Sequence, residues 1–106
     1  MTDKRKYVRA VYETAITITN EGATDAGTSV NISRGGLCVK TDRSYPFGAR
    51  IELGIDLPGV PETCRIPCIV RWVSPENAVG LQFENLRAIE LWALNKLMHT
   101  LGEVEP

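Results

Sequence analysis

The sequence predicts a mainly β domain, a small antiparallel barrel or sandwich of about six short strands, followed by one C-terminal helix. Three observations support this fold class. Short stretches in which apolar and polar residues alternate recur along residues 13–84. Turns rich in Gly, Pro, Asn and Ser separate these stretches at regular intervals. After Glu84 the apolar period changes from two residues to about 3.6, the period of an α-helix.

The first half of the chain predicts three strands. Residues 13–20 alternate, with Ile16 and Ile18 on one face, and predict a half-buried strand. Residues 21–27 are rich in Gly, Asp and Thr and predict a turn. Two further β-prone stretches, residues 28–32 and 37–41, are joined by a tight turn at Ser33-Arg34-Gly35-Gly36.

The second half predicts three more strands, over residues 50–57, 63–73 and 78–84. Pro67 within the longest of them suggests an edge position or a bulge, because proline has no amide hydrogen for the ladder. Inward-facing positions in the last strand include Phe83. In the longest strand the residues expected to face inward are Cys64, Ile66, Cys68, Val70 and Trp72.

The C-terminal segment, residues 85–101, predicts an amphipathic helix with Asn85 as its N-cap and Gly102 as its end. Three apolar residues do not fit its core-facing stripe. Leu91 and Met98 lie to one side, and Trp92 lies roughly 130° from the centre of the stripe. They predict either a wide core-facing surface with one exposed aromatic, or a contact for a partner or a second copy of the chain. The stripe itself consists of Leu86, Ile89, Ala93, Leu97 and Leu101, with Leu94 beside it.

Composition excludes several classes of protein. Of 106 residues, 43% are apolar and 24% are charged, which is typical of a globular domain rather than a disordered one. The net charge of −1 means that a phosphate site must come from local clustering of cations. No apolar run approaches the ~20 residues of a membrane span. The charged N-terminus is not followed by the apolar region of a signal peptide. We therefore expect a cytoplasmic protein without membrane insertion.

The cysteines, Cys38, Cys64 and Cys68, are expected to be buried thiols. Cys64 and Cys68 are four residues apart in a predicted strand and so face the same side. A metal site would need further ligands, and the one histidine, His99, lies in a different element. We predict no metal and no cofactor.

Two segments call for more than a packing explanation. The first is Lys4-Arg5-Lys6-Tyr7-Val8-Arg9, which places four cations in six residues of an N-terminal arm, residues 1–10. By itself it is more typical of a solvated basic tail. The second is Asn31-Ile32-Ser33-Arg34-Gly35-Gly36, whose Asn31 and Ser33 share one face of an extended chain. Alone it is also typical of a plain hairpin turn.

Together these segments resemble the signature of the PilZ domain family. The sequence has Arg-x-x-x-Arg at Arg5 and Arg9, then Asn-x-Ser-x-x-Gly at Asn31, Ser33 and Gly36. Val79-Gly80-Leu81-Gln82-Phe83 and the helix after it resemble the end of the same domain. The resemblance implies one domain over residues 1–106, with an arm (1–10), a six-stranded antiparallel β-barrel (11–84) and a C-terminal α-helix (85–101).

The function that the resemblance implies is binding of cyclic di-GMP, a bacterial second messenger with two guanines and two phosphates. Arg5 and Arg9 match the arginines that grip phosphate and guanine, and Asn31 and Ser33 match the polar pair on the barrel. Gly36 matches the closing glycine. A guanidinium suits both a phosphate and the O6/N7 edge of guanine. Lys4, Arg34 and Gly35 are additional candidates for ligand contacts, and Lys4 favours two ligand molecules per protomer.

Other functions are less consistent with the residues. No catalytic triad, zinc motif, P-loop or carboxylate pair is present, so we predict no enzyme. A nucleic-acid-binding barrel would need exposed aromatics over a basic groove, whereas Trp72 and Phe83 are predicted to face inward. The alternative that stays open is a PilZ-like adaptor that no longer binds nucleotide. In either case the signal is expected to pass to an effector protein, and a homodimer is compatible with the sequence.

Overall fold

The computed structural model describes residues 9–102, so Arg5 and Lys4 of the predicted site lie outside the described residues. This part of the chain contains seven strands and one helix. They are β1 (Ala10–Val11), β2 (Ala15–Asn20), β3 (Ala23–Ile32), β4 (Gly36–Thr41), β5 (Arg50–Ile55), β6 (Cys64–Ser74), β7 (Ala78–Phe83) and α1 (Ala88–Thr100).

The strands form a closed antiparallel barrel. The sheet order is β1-β3-β2-β5-β6-β7-β4, and an additional pairing between β3 and β4 closes the ring of six strands. The short β1 pairs with β3 on the edge that β2 uses further along. The predicted six-stranded antiparallel β-barrel with a C-terminal helix is therefore confirmed, with β1 as an extra strand.

Ser29 holds the chain where β1 passes into β2. Its backbone amide donates to the carbonyl of Thr14 at 2.9 Å, and its hydroxyl accepts from the amide of Thr14 at 2.9 Å and donates to the carbonyl of Tyr12. These bonds satisfy backbone groups that the break between the two strands leaves unpaired. The segment that carries Arg9 is thereby fixed along the edge of β3.

The core fills the barrel and continues under the helix. Fully or nearly fully buried apolar side chains come from every strand of the ring, and α1 adds four more. The closely packed apolar interior stabilises the barrel without a disulfide, since the three cysteines are free thiols and all are buried. Strand residues in this core include Ile16, Ile18, Ile32, Val39, Leu53, Ile66, Val70 and Val79, and the helix residues are Ala93, Leu94, Leu97 and Met98.

The predicted turn over residues 21–27 is wrong in length. The turn consists of Glu21 and Gly22, both with positive φ, and β3 begins directly after it at Ala23. Most residues at the start of β3 are exposed, so this end of the hairpin extends beyond the core. A strand that buries neither face carries no apolar alternation, and its polar residues were therefore mistaken for a turn.

The helix begins later than predicted. Its N-cap is Arg87, not Asn85, and Glu90 closes a capping box by accepting from the Arg87 backbone amide at 2.9 Å. The buried face is also rotated from the predicted stripe, because Ile89 is 44% exposed whereas Met98 is fully buried. Leu91 and Trp92 are 45% and 50% exposed, so only these two of the three unusual residues face solvent.

In β6 the alternation holds for Cys64, Cys68 and Val70, all of which are buried. Trp72 does not follow it, because a bulge between Val70 and Trp72 shifts the register against β7. Trp72 is 37% exposed, so its predicted inward orientation is wrong. Pro67 lies where β7 has just ended: its carbonyl accepts from the amide of Glu84, so its missing amide hydrogen falls at the end of the β6–β7 ladder.

Phe83 is half-buried against the core. No helix within residues 9–102 is long and apolar enough to cross a membrane.

Candidate ligand-binding cleft

A cleft of about 530 Å³ lies between the β3–β4 turn, strands β6 and β7, and α1. Its volume is within the range of small-molecule sites. Five predicted site residues line it, and so do several that the sequence analysis did not select. The predicted ones are Arg9, Ser33, Arg34, Gly35 and Gly36; the others include Arg71, Trp72, Gly80, Gln82, Glu84 and Leu91.

The β3–β4 turn is built by Ser33. Its backbone amide donates to the carbonyl of Gly36 at 2.8 Å, its hydroxyl donates to the same carbonyl at 3.3 Å, and the amide of Gly35 donates to the hydroxyl at 3.1 Å. A serine hydroxyl has one donor and two acceptor sites, so one acceptor site remains. Ser33 therefore shapes the turn first, and it can contact a ligand only through that remaining lone pair.

Gly36 has a structural requirement that is independent of any ligand. A Cβ at this position would collide with the backbone carbonyl of Leu81 on β7. The close approach of β4 to β7, which brings the turn beside the cleft, thus depends on the missing side chain.

Arg9 reaches the turn through the pairing of β1 with β3. Ala10 pairs with Ile32 and Val11 with Asn31, so the same antiparallel register, extended by one residue, sets Arg9 opposite Ser33. Burial raises the pKa of the Cys38 thiol on β4, and the charges of Arg9 and Lys40 lower it in part. The positive field of Arg9 therefore extends over the outer face of β3 and β4.

Asn31 presents a buried acceptor without a partner. Ile32, its neighbour in β3, is buried in the core, so the Asn31 side chain points to the outer face. Its Oδ1 is buried and accepts no hydrogen bond from the described residues. Leaving a buried acceptor unsatisfied destabilises the folded state by about 1–3 kcal/mol. A donor on a bound ligand would remove that penalty.

Asn31 and the cleft are connected by a row of strand partners. Asn31 pairs with Cys38, Cys38 with Gly80, and Gly80 with Trp72, so the row crosses β3, β4, β7 and β6. Directly paired residues present their side chains on the same face. A Cβ on Gly80 would overlap the indole ring, so Trp72 lies flat across the backbone of β7. The row therefore joins an amide acceptor to an aromatic surface.

Sequence reasoning missed Arg71 and Trp72, although one signal was available. A glycine inside a strand often marks a close approach by another group, and Gly80 stands in the middle of β7. The position of Trp72 over it depends on the β6 bulge, which the alternation does not show.

Arg34 connects the turn to the helix. Its Nε donates to Oδ1 of Asn95 on α1 at 2.7 Å, while the side chain also lines the cleft. The one acidic side chain among the described lining residues, Glu84, forms an ion pair with Arg50 at 3.5 Å. The cleft is therefore rich in guanidinium groups and suits an anion.

The described residues hold no group of three or more His, Cys, Asp and Glu side chains that could bind a metal ion. The turn, the arginines and the aromatic wall form a cleft on a small β-barrel, and their chemistry suits an aromatic, anionic ligand. The chain belongs to the PilZ domain family, whose signature matches residues 3–99. A search of curated protein sequences finds no match.

Solved structures of PilZ proteins share the fold. The Bacillus subtilis inhibitor of motility (MotI/DgrA) is 25% identical with a TM-score of 0.74, over 98% of this chain and 55% of that one. The chain thus spans about half the length of that protein. The PilZ domain of Escherichia coli YcgR, solved with c-di-GMP (cyclic di-GMP), is 16% identical with a TM-score of 0.70, over 94% of this chain and 92% of that domain. PlzA of Borreliella burgdorferi, also solved with c-di-GMP, is 13% identical with a TM-score of 0.71, over 88% of this chain and 40% of that one.

Proposed function

We propose that this chain is a cytoplasmic receptor for cyclic di-GMP, a non-enzymatic module that changes conformation on binding and signals through a partner protein. The observation that carries the proposal is the unpaired, buried Oδ1 of Asn31, which lies two residues before Ser33, where the cleft lined by arginines begins. Family membership and the relatives solved with c-di-GMP support the choice of ligand.

The chemistry of the ligand suits the residues present. Guanine offers N–H donors, which match the unpaired acceptor of Asn31, and an O6/N7 acceptor pair, which matches a guanidinium. Arg9 and Arg34 line the cleft and favour the two phosphates, and Trp72 offers a flat surface for a base. In this proposal Arg5 and Lys4 add further contacts from the preceding segment.

The roles of the serine and glycines follow from their contacts. Ser33 and Gly35 hold the turn in a shape that leaves their polar groups beside the ligand, and Gly36 lets β4 approach β7. These residues act on affinity mainly by keeping the site preformed.

The link to a partner rests on the contact between the turn and the helix. Arg34 donates to Asn95 and lines the cleft, so a ligand that engages the same guanidinium also shifts the geometry of its bond to α1. A change in the bond between Arg34 and Asn95 would change the position of α1 on the barrel, and a partner protein that binds α1 would detect that change. The unpaired acceptor of Asn31 also favours a binding site over an adaptor that has lost its ligand.

The test uses Asn31→Ala, with Asn20→Ala as a matched control at the end of β2, away from the residues that line the cleft. Removal of an unpaired buried acceptor should leave the melting temperature of the free protein unchanged or raised. The same change should weaken cyclic di-GMP binding about 2- to 10-fold, the effect of losing one neutral hydrogen bond. Both are measured by thermal unfolding with and without ligand.

The proposal fails if wild-type protein gains no thermal stability from millimolar cyclic di-GMP. It also fails if Asn31→Ala binds the ligand as tightly as Asn20→Ala does.

A further inference from the structure

We propose that Arg71 binds a phosphate of the cyclic dinucleotide from the β6 wall of the cleft. The proposal rests on the proposed function and extends its site to a residue that lies in neither of the two sequence motifs. Arg71 stands in the bulge between Val70 and Trp72.

The bulge explains why this arginine faces the cleft. In a regular strand, neighbouring residues point to opposite faces, so Arg71 and Trp72 would lie on opposite sides of the sheet. Here both are exposed and both line the cleft, whereas Val70 is fully buried. Bulges commonly re-aim a side chain next to a functional site.

Arg71 also differs from the described arginines outside the cleft in having no carboxylate partner among the described residues. Within residues 9–102, the arginines that lie outside the cleft lining each form an ion pair with an acidic side chain. The Arg71 side chain forms no ion pair or hydrogen bond with any described residue. An unpaired guanidinium beside an anion-binding cleft is available to a phosphate. The paired arginines are Arg43 with Asp25, Arg50 with Glu84, Arg65 with Glu52, and Arg87 with Glu90.

The spacing of the strands sets the size of the ligand that such an arginine selects. β6 is separated from β4 by β7, so two strand spacings, about 9–10 Å, lie between Arg71 and the β3–β4 turn. Arg9 and Arg34 approach the cleft from the side of the turn. A ligand held from both sides must span this distance, which suits a dinucleotide better than a mononucleotide.

The test measures cyclic di-GMP affinity calorimetrically at several salt concentrations for wild type, Arg71→Ala, Arg71→Lys and the control Arg65→Ala. Arg65 lies on the same strand but outside the lining residues. We expect Arg71→Ala to bind about tenfold more weakly, the effect of one lost charge-assisted hydrogen bond. The slope of log affinity against log salt concentration should also become shallower for Arg71→Ala, by about the amount expected for one lost phosphate contact. Arg71→Lys should keep most of the affinity, since an ammonium also binds phosphate.

Each outcome decides the proposal. If wild type binds and Arg71→Ala matches Arg65→Ala within twofold, Arg71 is a solvated surface residue and the inference is wrong. If Arg71→Lys is as weak as Arg71→Ala, the contact is not with a phosphate. If wild type itself does not bind, the proposed function fails first, and that result is distinct from the other two. Equal melting temperatures for all four proteins control for folding.

Discussion

The Nε of Arg34 donates to Oδ1 of Asn95 at 2.7 Å, a bond that joins the β3–β4 turn to the terminal helix across 61 positions of sequence. The same arginine lines the candidate cleft. Because a guanidinium has five N–H donors, Arg34 can hold Asn95 and still offer donors to a ligand. The candidate cleft and the helix therefore share one side chain.

Substitution of Arg34 or of Asn95 separates the two roles expected of Arg34, the bond to α1 and the contact with a ligand. Asn95→Ala should lower the melting temperature slightly, because an exposed hydrogen bond contributes at most about 1 kcal/mol, and should leave cyclic di-GMP affinity within about threefold of wild type. Arg34→Ala should lower the melting temperature by a similar amount and affinity by a further ~10-fold. Thermal unfolding and calorimetry on both variants and the double variant measure these effects. Equal affinities for the two single variants would mean that Arg34 only ties the turn to α1.

Gly36→Ala should destabilise the barrel rather than only weaken binding. The added methyl group would collide with the Leu81 carbonyl, and overpacking of this kind costs about 1–3 kcal/mol. For a domain of this size that corresponds to a fall in melting temperature of about 4 °C or more. A variant that keeps the wild-type melting temperature but loses the ligand would instead show that Gly36 serves the ligand alone.

Trp72→Ala should weaken ligand binding, with Trp92→Ala as the control. Stacking of one base on an aromatic side chain contributes about 1–3 kcal/mol, or roughly 5- to 150-fold in affinity. Trp92 lies on α1 against Gly59 with Lys96 over its ring at 5.1 Å, and it does not line the cleft. In a Trp92→Phe background Trp72 is the only tryptophan, so its fluorescence should respond to cyclic di-GMP. No fluorescence change at saturation would place the base elsewhere.

The buried thiols predict a loss of stability at alkaline pH. Burial, and secondarily the charge of Glu84, raises the pKa of Cys68 to about 12. In the unfolded chain a thiol ionises near pH 8.5, so the unfolded state releases a proton that the folded state keeps. The contribution of Cys68 is complete at pH 7 and is lost progressively as the pH rises from about 9 towards 12.

Tyr45 adds the same effect at higher pH. Burial, followed by its hydrogen bond to Asp25, raises its pKa to about 12, so its contribution begins to fall above about pH 10.

Urea unfolding at pH 7 and pH 10 measures the loss in the free energy of unfolding, which is at most ~1.4 kcal/mol per pH unit for each thiol. Cys68→Ala should reduce the slope between pH 8 and pH 10 even though it lowers stability at pH 7. An unchanged slope would contradict the assignment to Cys68.

The barrel was predictable because its strands bury one face and expose the other. The alternation of Ile51, Leu53 and Ile55 in β5, for example, follows directly from the two-residue period of a strand. The first residues of β3 escaped prediction for the opposite reason, since they bury neither face. The start of α1 escaped because its N-cap is Arg87, whose side chain only donates, to Glu90, and is not one of the short polar acceptors that usually mark an N-cap.

The sequence predicted only some of the residues that line the candidate cleft. The motifs identify the β3–β4 turn and Arg9, which the β1–β3 register places opposite Ser33. The positions of Arg71 and Trp72 depend on a bulge in β6 and on Gly80 in the facing strand β7. Their place in the cleft therefore follows from the register between these two strands, which the residue pattern of either strand alone does not show. The interface suggested for Trp92 stays a prediction, although its half-exposed position is compatible with one.

A calorimetric titration of the wild-type chain with cyclic di-GMP, alongside Arg9→Ala, decides whether the chain is a receptor for this ligand. We predict saturable heat with micromolar affinity or better for wild type, and affinity about 10- to 100-fold lower for Arg9→Ala, because the proposed role of that arginine is to make charge-assisted hydrogen bonds to the ligand. Saturation at two ligand molecules per protomer would agree with the prediction that Lys4, an additional cation, favours binding of two molecules. The absence of heat from wild-type protein at millimolar ligand, or equal affinity for the Arg9→Ala variant, would contradict the account.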